Sequence, residues 1–142
     1  MMKLYFLLLF VSFFSPEETA QELVVEIQGI KDSQGQIAVL VFNRKDGFPS
    51  ENTKAISQQI IPAKKGVVQV VFSGIGGAGN YAVSVMHDEN NNLKLDTNWM
   101  GIPKEGYGFS GNKTGLMGPP SFDDAAFLLK DATEKIMIRM KY

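Results

Sequence analysis

The sequence predicts an all-β fold: a single antiparallel β-sandwich of about seven strands, immunoglobulin-like or transthyretin-like, with one long packed loop. Three observations carry this expectation. Short runs rich in β-branched and aromatic residues alternate with a period of two, turns with glycine and Asx residues separate them, and no window sustains a helical period. A closed barrel is the competing all-β arrangement.

In chain order, the expected strands are residues 23–30 (LVVEIQGI), 36–43 (QIAVLVFN), 56–61 (ISQQII), 67–73 (VVQVVFS), 80–87 (NYAVSVMH), 126–129 (AFLL) and 135–141 (KIMIRMK). Period-two alternation places one set of side chains on the buried face of each strand. The inward residues so assigned are Val25, Ile27, Ile37, Val39, Val41, Val68, Val70, Phe72, Tyr81, Val83, Val85, Ile136, Ile138 and Met140. Asp32-Ser33-Gln34-Gly35 and Lys64-Lys65-Gly66 read as short polar turns, and a Gly76-Gly77-Ala78-Gly79 stretch precedes the fifth strand.

The chain of 142 residues, 44% hydrophobic, suits one domain. Its start reads differently. One lysine, Lys3, precedes an apolar run at residues 4–14 (LYFLLLFVSFF), and Pro16 begins a polar exit. Such a run is too short for a permanent membrane helix and fits a signal peptide, so residues 1–20 are expected to be removed near Ala20/Gln21. The domain would then be 21–142, in a periplasmic or secreted protein without a membrane span. Removing Lys3, Glu17 and Glu18 leaves thirteen basic and thirteen acidic residues. A mature chain of zero net charge gives no general attraction for nucleic acid or an anionic membrane. Cysteine is absent, which excludes thiolate metal sites, a cysteine nucleophile and disulfides.

Residues 88–124 break the strand pattern for 37 positions, with no strand-like run. A loop of that length is unusual inside a compact domain, and its apolar side chains argue that it packs down. Near its end, Ser121 is placed to cap a short helical turn at 122–126, with Asp124 three residues on.

The loop opens with HDENNNLKLD, residues 87–96. Asp88, Asn90 and Asn92 put oxygen-bearing side chains at alternate positions, Lys94 can offer its carbonyl and Asp96 follows. Converging oxygens of this kind suit a hard cation, so calcium is the expected cofactor and these five residues the expected ligands. Leu93 stands where a glycine is usual, Trp99 where a bidentate acid is usual, and only two formal charges lie at ligand positions. A second loop carrying Asp123 or Asp124 would strengthen such a site. The alternative is an Asn-rich turn whose side chains satisfy their own backbone.

His87, the only histidine, neighbours Asp88 and Glu89, but consecutive strand residues face opposite ways. His87 therefore reads as a rim histidine held by a carbonyl or carboxylate, and no catalytic residue is assigned. Ser110 is no nucleophile elbow, since Asn112 replaces the needed glycine. His87, Trp99, Glu105, Tyr107, Phe109 and Phe122 form a candidate binding set, with an envelope protein or polysaccharide as the expected partner. The competing reading has the aromatic rings covering one end or face of the sandwich.

The runs HDENNNLKLDTNWMGIPKEGYGFSGN and GPPSFDDAAF resemble the signature of small exported bacterial proteins grouped as domain of unknown function 2141. The resemblance spans the chain from the first strand to Tyr142. It implies a periplasmic or secreted β-sandwich without an established activity. Recurrent positions it carries over include His87, Asp88, Asn90, Asn92, Asp96, Glu105, Phe109 and Phe122. Leu93 departs from the family's glycine, and leucine resists the left-handed backbone such a turn requires. The reading overall is a non-catalytic exported binding module with a calcium loop at 88–96, with a cell-envelope hydrolase using His87 and nearby acids as the alternative.

Overall fold

The computed structural model describes residues 21–115 and 117–142, so the expected signal segment lies outside the described residues. Eight strands are present among the described residues: β1 (Glu22–Ile30), β2 (Gln36–Phe42), β3 (Ser57–Pro62), β4 (Gly66–Ser73), β5 (Gly79–Asp88), β6 (Gly106–Phe109), β7 (Phe127–Leu129) and β8 (Thr133–Arg139). One short helix, α1 (Phe122–Ala125), precedes β7.

The strands form two sheets, one ordered β4-β1-β8 and the other β3-β2-β5-β6, with β7 also paired to β5. The architecture is a sandwich rather than a barrel. Most pairings are antiparallel, as expected, but β8 runs parallel to β1, with Val25 opposite Ile136 and Ile27 opposite Ile138. The solvent face of that first sheet mixes exposed apolar side chains, among them Val67, Val71 and Met137, with a charged cluster. There Glu26 accepts from Gln28, Gln69 and Lys135, and these donors lower its carboxyl pKa to about 2, the Lys135 ammonium foremost.

All fourteen side chains expected to point inward belong to the core between the sheets: twelve are buried, and Val68 and Ile136 pack against them partly buried. The second core was not anticipated. The sequence of β2 is apolar without interruption from Ile37 to Phe42, which marks a strand covered on both faces. On its outer face, Phe42 and Ala82 pack with Phe122 and Ala125 of α1. Phe48, from the β2–β3 connection, centres this layer. Its ring makes edge contacts with Phe42 at 5.4 Å, Phe122 at 5.9 Å and Phe109 at 6.2 Å. The edge-to-face geometry suits the opposed charge of aromatic faces and edges.

The capping expectation for α1 is met. Ser121 Oγ accepts from Asp124 N at 3.1 Å, while Ser121 donates to the Asp124 carboxylate at 2.8 Å. The long segment is not strandless, however, because β6 lies inside it and pairs with β5. The fold thereby carries the end of β5, the start of β2 and the start of the long loop to one end of the second sheet.

Candidate functional site

β5 ends at Asp88, and the β2–β5 register sets Gln36 opposite it and Ile37 opposite His87. Alternation turns His87 toward the inter-sheet core and Asp88 to the other face, and both are fully buried. His87 Nε2 lies 2.6 Å from the Gln34 carbonyl, which can only accept, so Nε2 carries the proton. Nδ1 is then an acceptor for the Tyr142 hydroxyl at 2.7 Å, and that hydroxyl in turn accepts from Lys31 N at 3.1 Å. This chain ties the C-terminal residue to the β1–β2 turn. Burial raises the Tyr142 phenol pKa. The nearest acid contact of His87 is Asp32 Oδ1 at 3.7 Å, too long for a hydrogen bond. The rim histidine held by a carbonyl is the arrangement found.

Asp88 organises the loop. Its Oδ1 accepts from Asn92 N at 3.1 Å, and its Oδ2 accepts from Leu93 N at 2.9 Å and Gln36 Nε2 at 2.7 Å. Glu105, also buried, joins the two ends of the same loop through Oε1 to Glu89 N at 3.0 Å and Oε2 to Asp96 N at 2.9 Å. A buried carboxylate needs such donors to offset its lost hydration. Glu89 faces outward to Lys31 at 2.5 Å, and this contact raises the Lys31 pKa.

Asn90, Asn92 and Asp96 converge. Asp96 accepts from Asn90 Nδ2 at 2.5 Å and from Asn92 Nδ2 at 3.0 and 3.1 Å. The two asparagine oxygens meanwhile form Asx turns to Asn92 N and Lys94 N. The loop is thus both a self-satisfied polar turn and a cluster of oxygen-bearing side chains. It borders a shallow depression of about 390 Å³ lined by Gln34, Glu89, Asn90, Asp96, Thr97, Lys104 and Glu105. Asp123 and Asp124 lie elsewhere, engaged by Lys45 and Ser121. Among the described residues, no group of three or more histidine or acidic side chains has the spacing to hold a metal by itself, so any cation would depend on the amides and carbonyl.

The aromatic candidates separate. Phe109 and Phe122 are buried in the outer-face layer and Tyr107 is half-buried beside Phe109. Trp99 stands alone and almost fully exposed. The expectation that the whole loop packs down therefore holds for Tyr107, Phe109 and Phe122 but not for the turn carrying Trp99, nor for Met117, which is fully exposed. Ser110 is structural: its hydroxyl accepts from Val83 N and donates to the Ala125 carbonyl at 2.6 Å.

Residues 25–137 match the family model described as an uncharacterized protein conserved in bacteria (DUF2141). The chain belongs to this family. The matched span runs from β1 into β8 and includes the whole 88–124 segment. Comparisons with curated proteins and with solved structures return no match.

Leu93, where the resemblance leads to the expectation of glycine, adopts the left-handed conformation, with φ 62°. The leucine does not redirect the turn, because Asp88 Oδ2 holds its N–H in place. The strain is expected to be recoverable. Leu93→Gly should raise stability by about 1 kcal/mol, the left-handed penalty less glycine's entropy, read as a higher urea midpoint with unchanged slope. A midpoint that falls would mean that the leucine side chain contributes packing that outweighs the strain.

Gln34, Gln36, Lys104 and Tyr142 join the site without having been singled out in the sequence. Gln36 is the instructive case, since only the β2–β5 register brings it to Asp88.

Proposed function

We propose that this DUF2141 protein is an exported, non-catalytic binding domain whose 88–96 loop takes up calcium through Asp88, Asn90, Asn92, the Lys94 carbonyl and Asp96. The observation that carries this reading is the convergence of both asparagine amides on Asp96 above the buried Asp88 carboxylate. A half-turn of each amide about its terminal torsion exchanges nitrogen for oxygen, and the same side chains then present oxygens to a common centre. The left-handed backbone at Asn91 and Leu93 supports it, because the loop already has the sharp bend that such coordination uses. The export part rests on the apolar run at 4–14.

With two formal charges among the ligands, the dissociation constant should be on the order of 10⁻⁴ to 10⁻³ M, the range of extracellular calcium modules. Calorimetric titration with calcium should give saturable heat and a raised melting temperature, and Asp96→Ala should lose both. No heat and no thermal shift would remove the calcium reading.

The remaining binding role is a contact surface for an envelope protein or polysaccharide, supported by the exposed ring of Trp99, two residues along the chain from Thr97 of the polar depression. The alternative of a hydrolase draws no support from His87, whose two ring nitrogens are engaged by Tyr142 and Gln34 and whose side chain is sealed from solvent.

A further inference from the structure

The sequence of β4 holds a palindrome, Val67-Val68-Gln69-Val70-Val71, in a strand that carries no charged residue from Gly66 to Ser73. β4 is also the edge of its sheet, paired to β1 on one side only. Two contacts show which of its backbone groups are left over. Gly74 N donates to the carbonyl of Gln21, the residue before β1, whereas the Val71 carbonyl accepts from Gln59 Nε2 of β3. Alternation along the strand then turns the N–H and C=O of Val68, Val70 and Phe72 toward β1, and those of Val67, Gln69, Val71 and Ser73 away from it.

Three other edges are guarded. Beside β8, Asn112 Oδ1 accepts from Arg139 N at 2.8 Å and Asn112 Nδ2 donates to the Met137 carbonyl at 2.9 Å. Beside β6, Tyr107 and Lys141 exchange both backbone bonds, at 2.9 and 2.8 Å. The shorter β3 ends on Pro62, which has no N–H to offer. On the outer side of β4, among the described residues, only the Val71 carbonyl is engaged, by a side chain, and its second lone pair stays available. An open edge is commonly blunted by lysine or proline, and β4 contains neither.

We propose that β4 pairs antiparallel with β4 of a second copy of this chain, about a two-fold axis at Gln69, joining two three-stranded sheets into one of six strands. The palindrome selects the second copy. A two-fold axis sets a strand against its own sequence reversed, and reversal leaves VVQVV unchanged. Gln69 then faces its counterpart, while Val67 and Val71 face Val71 and Val67 of the second copy. In this register the outward backbone groups meet as hydrogen-bonded pairs. Val67 and Val71, 53% and 45% exposed in the single chain, become two apolar cross-strand pairs flanking the glutamines. No like charges are forced together. Glu26, level with Gln69 on β1, is held by Lys135 at 2.8 Å and stays three strand spacings, roughly 14 Å, from its counterpart. One strand pairing is small beside a standard interface, so the dimer is reversible and forms with rising concentration. It does not depend on the calcium reading.

The chain has no cysteine, so a single introduced thiol reports on its own position. At the axis, the Cα atoms of a hydrogen-bonded pair lie about 5.5 Å apart, within disulfide reach. Val67 lies four residues, roughly 13 Å, from Val67 of the second copy, which is out of reach. The full chain is oxidised with diamide in chelator and followed on non-reducing gels. Gln69→Cys is expected to give a disulfide-linked dimer about tenfold faster, or more, than Val67→Cys or Val71→Cys alone. Mixing the last two, one of them carrying a tag that changes its mass, should restore the fast rate as a mixed dimer. All three positions are exposed, and circular dichroism checks that each variant keeps its fold. The apolar run at 4–14 could cluster chains, but it would accelerate the three variants alike, so the ratio of rates is the readout. Equal rates, no fast product from Gln69→Cys, or no mixed dimer overturns the proposal.

Discussion

Gly35→Ala is expected to destabilise the protein by more than about 3 kcal/mol, combining left-handed strain with severe overpacking. Gly35 has φ +70°, and a Cβ there would fall onto the Asp88 carbonyl oxygen and lie 2.7 Å from Glu89 Cα. Both obstacles are backbone, so no rotamer change relieves them. Either the 32–35 turn lifts off the end of β5 or the 88–96 loop moves. The turn also supplies the Gln34 carbonyl that receives His87, so lifting it exposes a buried imidazole. Gly66→Ala is the control: its φ is +99° but nothing lies within 4 Å of the added carbon. It should cost about 1 kcal/mol, from backbone strain alone. Urea denaturation of the two variants separates the terms, and equal losses would show that the contact with the 88–89 backbone is not what fixes the turn.

Asp88→Ala should cost about 3 to 4 kcal/mol, from the removal of three hydrogen bonds to a charged acceptor and the stranding of their donors. The donors left behind are Asn92 N, Leu93 N and Gln36 Nε2. Because the loss arises from hydrogen bonds within the fold, it should appear in full in the presence of chelator. Asp96→Ala should behave oppositely, costing less than about 1 kcal/mol in chelator while abolishing the response to calcium. The Asp96 carboxylate accepts only from side-chain amides that can turn to water. Paired thermal melts, with and without calcium, check both. If Asp88→Ala were harmless in chelator, the buried carboxylate would not be the support of the loop.

These expectations distinguish two kinds of acid in one short sequence. Asp88 and Asp96 look equivalent along HDENNNLKLD, since both fall at alternate oxygen positions. Their difference comes from where β5 ends: Asp88 is the strand's last residue and is covered, whereas Asp96 lies beyond the bend. Glu105 could be named from sequence but not given its work. Its two oxygens span Glu89 and Asp96, sixteen and nine positions away, a distance in chain that no local pattern encodes. The aromatic residues divide in the same way, with Phe109 and Phe122 drawn to Phe48 across the sheet and Trp99 left outside.

The strand β6 escaped the sequence reading for a physical reason. Its Gly106 and Gly108 carry no side chain to alternate, so GYGF has no period to detect. The same glycines make its place possible. A Cβ on Gly108 would meet Ile138 Cγ2 at 2.7 Å, and one on Gly106 would meet the Tyr142 ring at 2.6 Å and closer. The residues that conceal the strand are those that admit β8 and the C-terminus against it.

By itself the sequence determined the all-β class, the inward faces of the strands and the Ser121 cap, because period-two patterns and turn chemistry are local and strong, while its long motif runs at 87–112 and 118–127 carried the resemblance to the DUF2141 family. Tertiary structure alone decided the parallel β1–β8 pairing, the second core around Phe48, the roles of Asp88 and Glu105, and the exposure of Trp99. Each of those depends on which distant segments share an edge or a face, and that is fixed by pairing and packing between elements rather than by the pattern within any one of them.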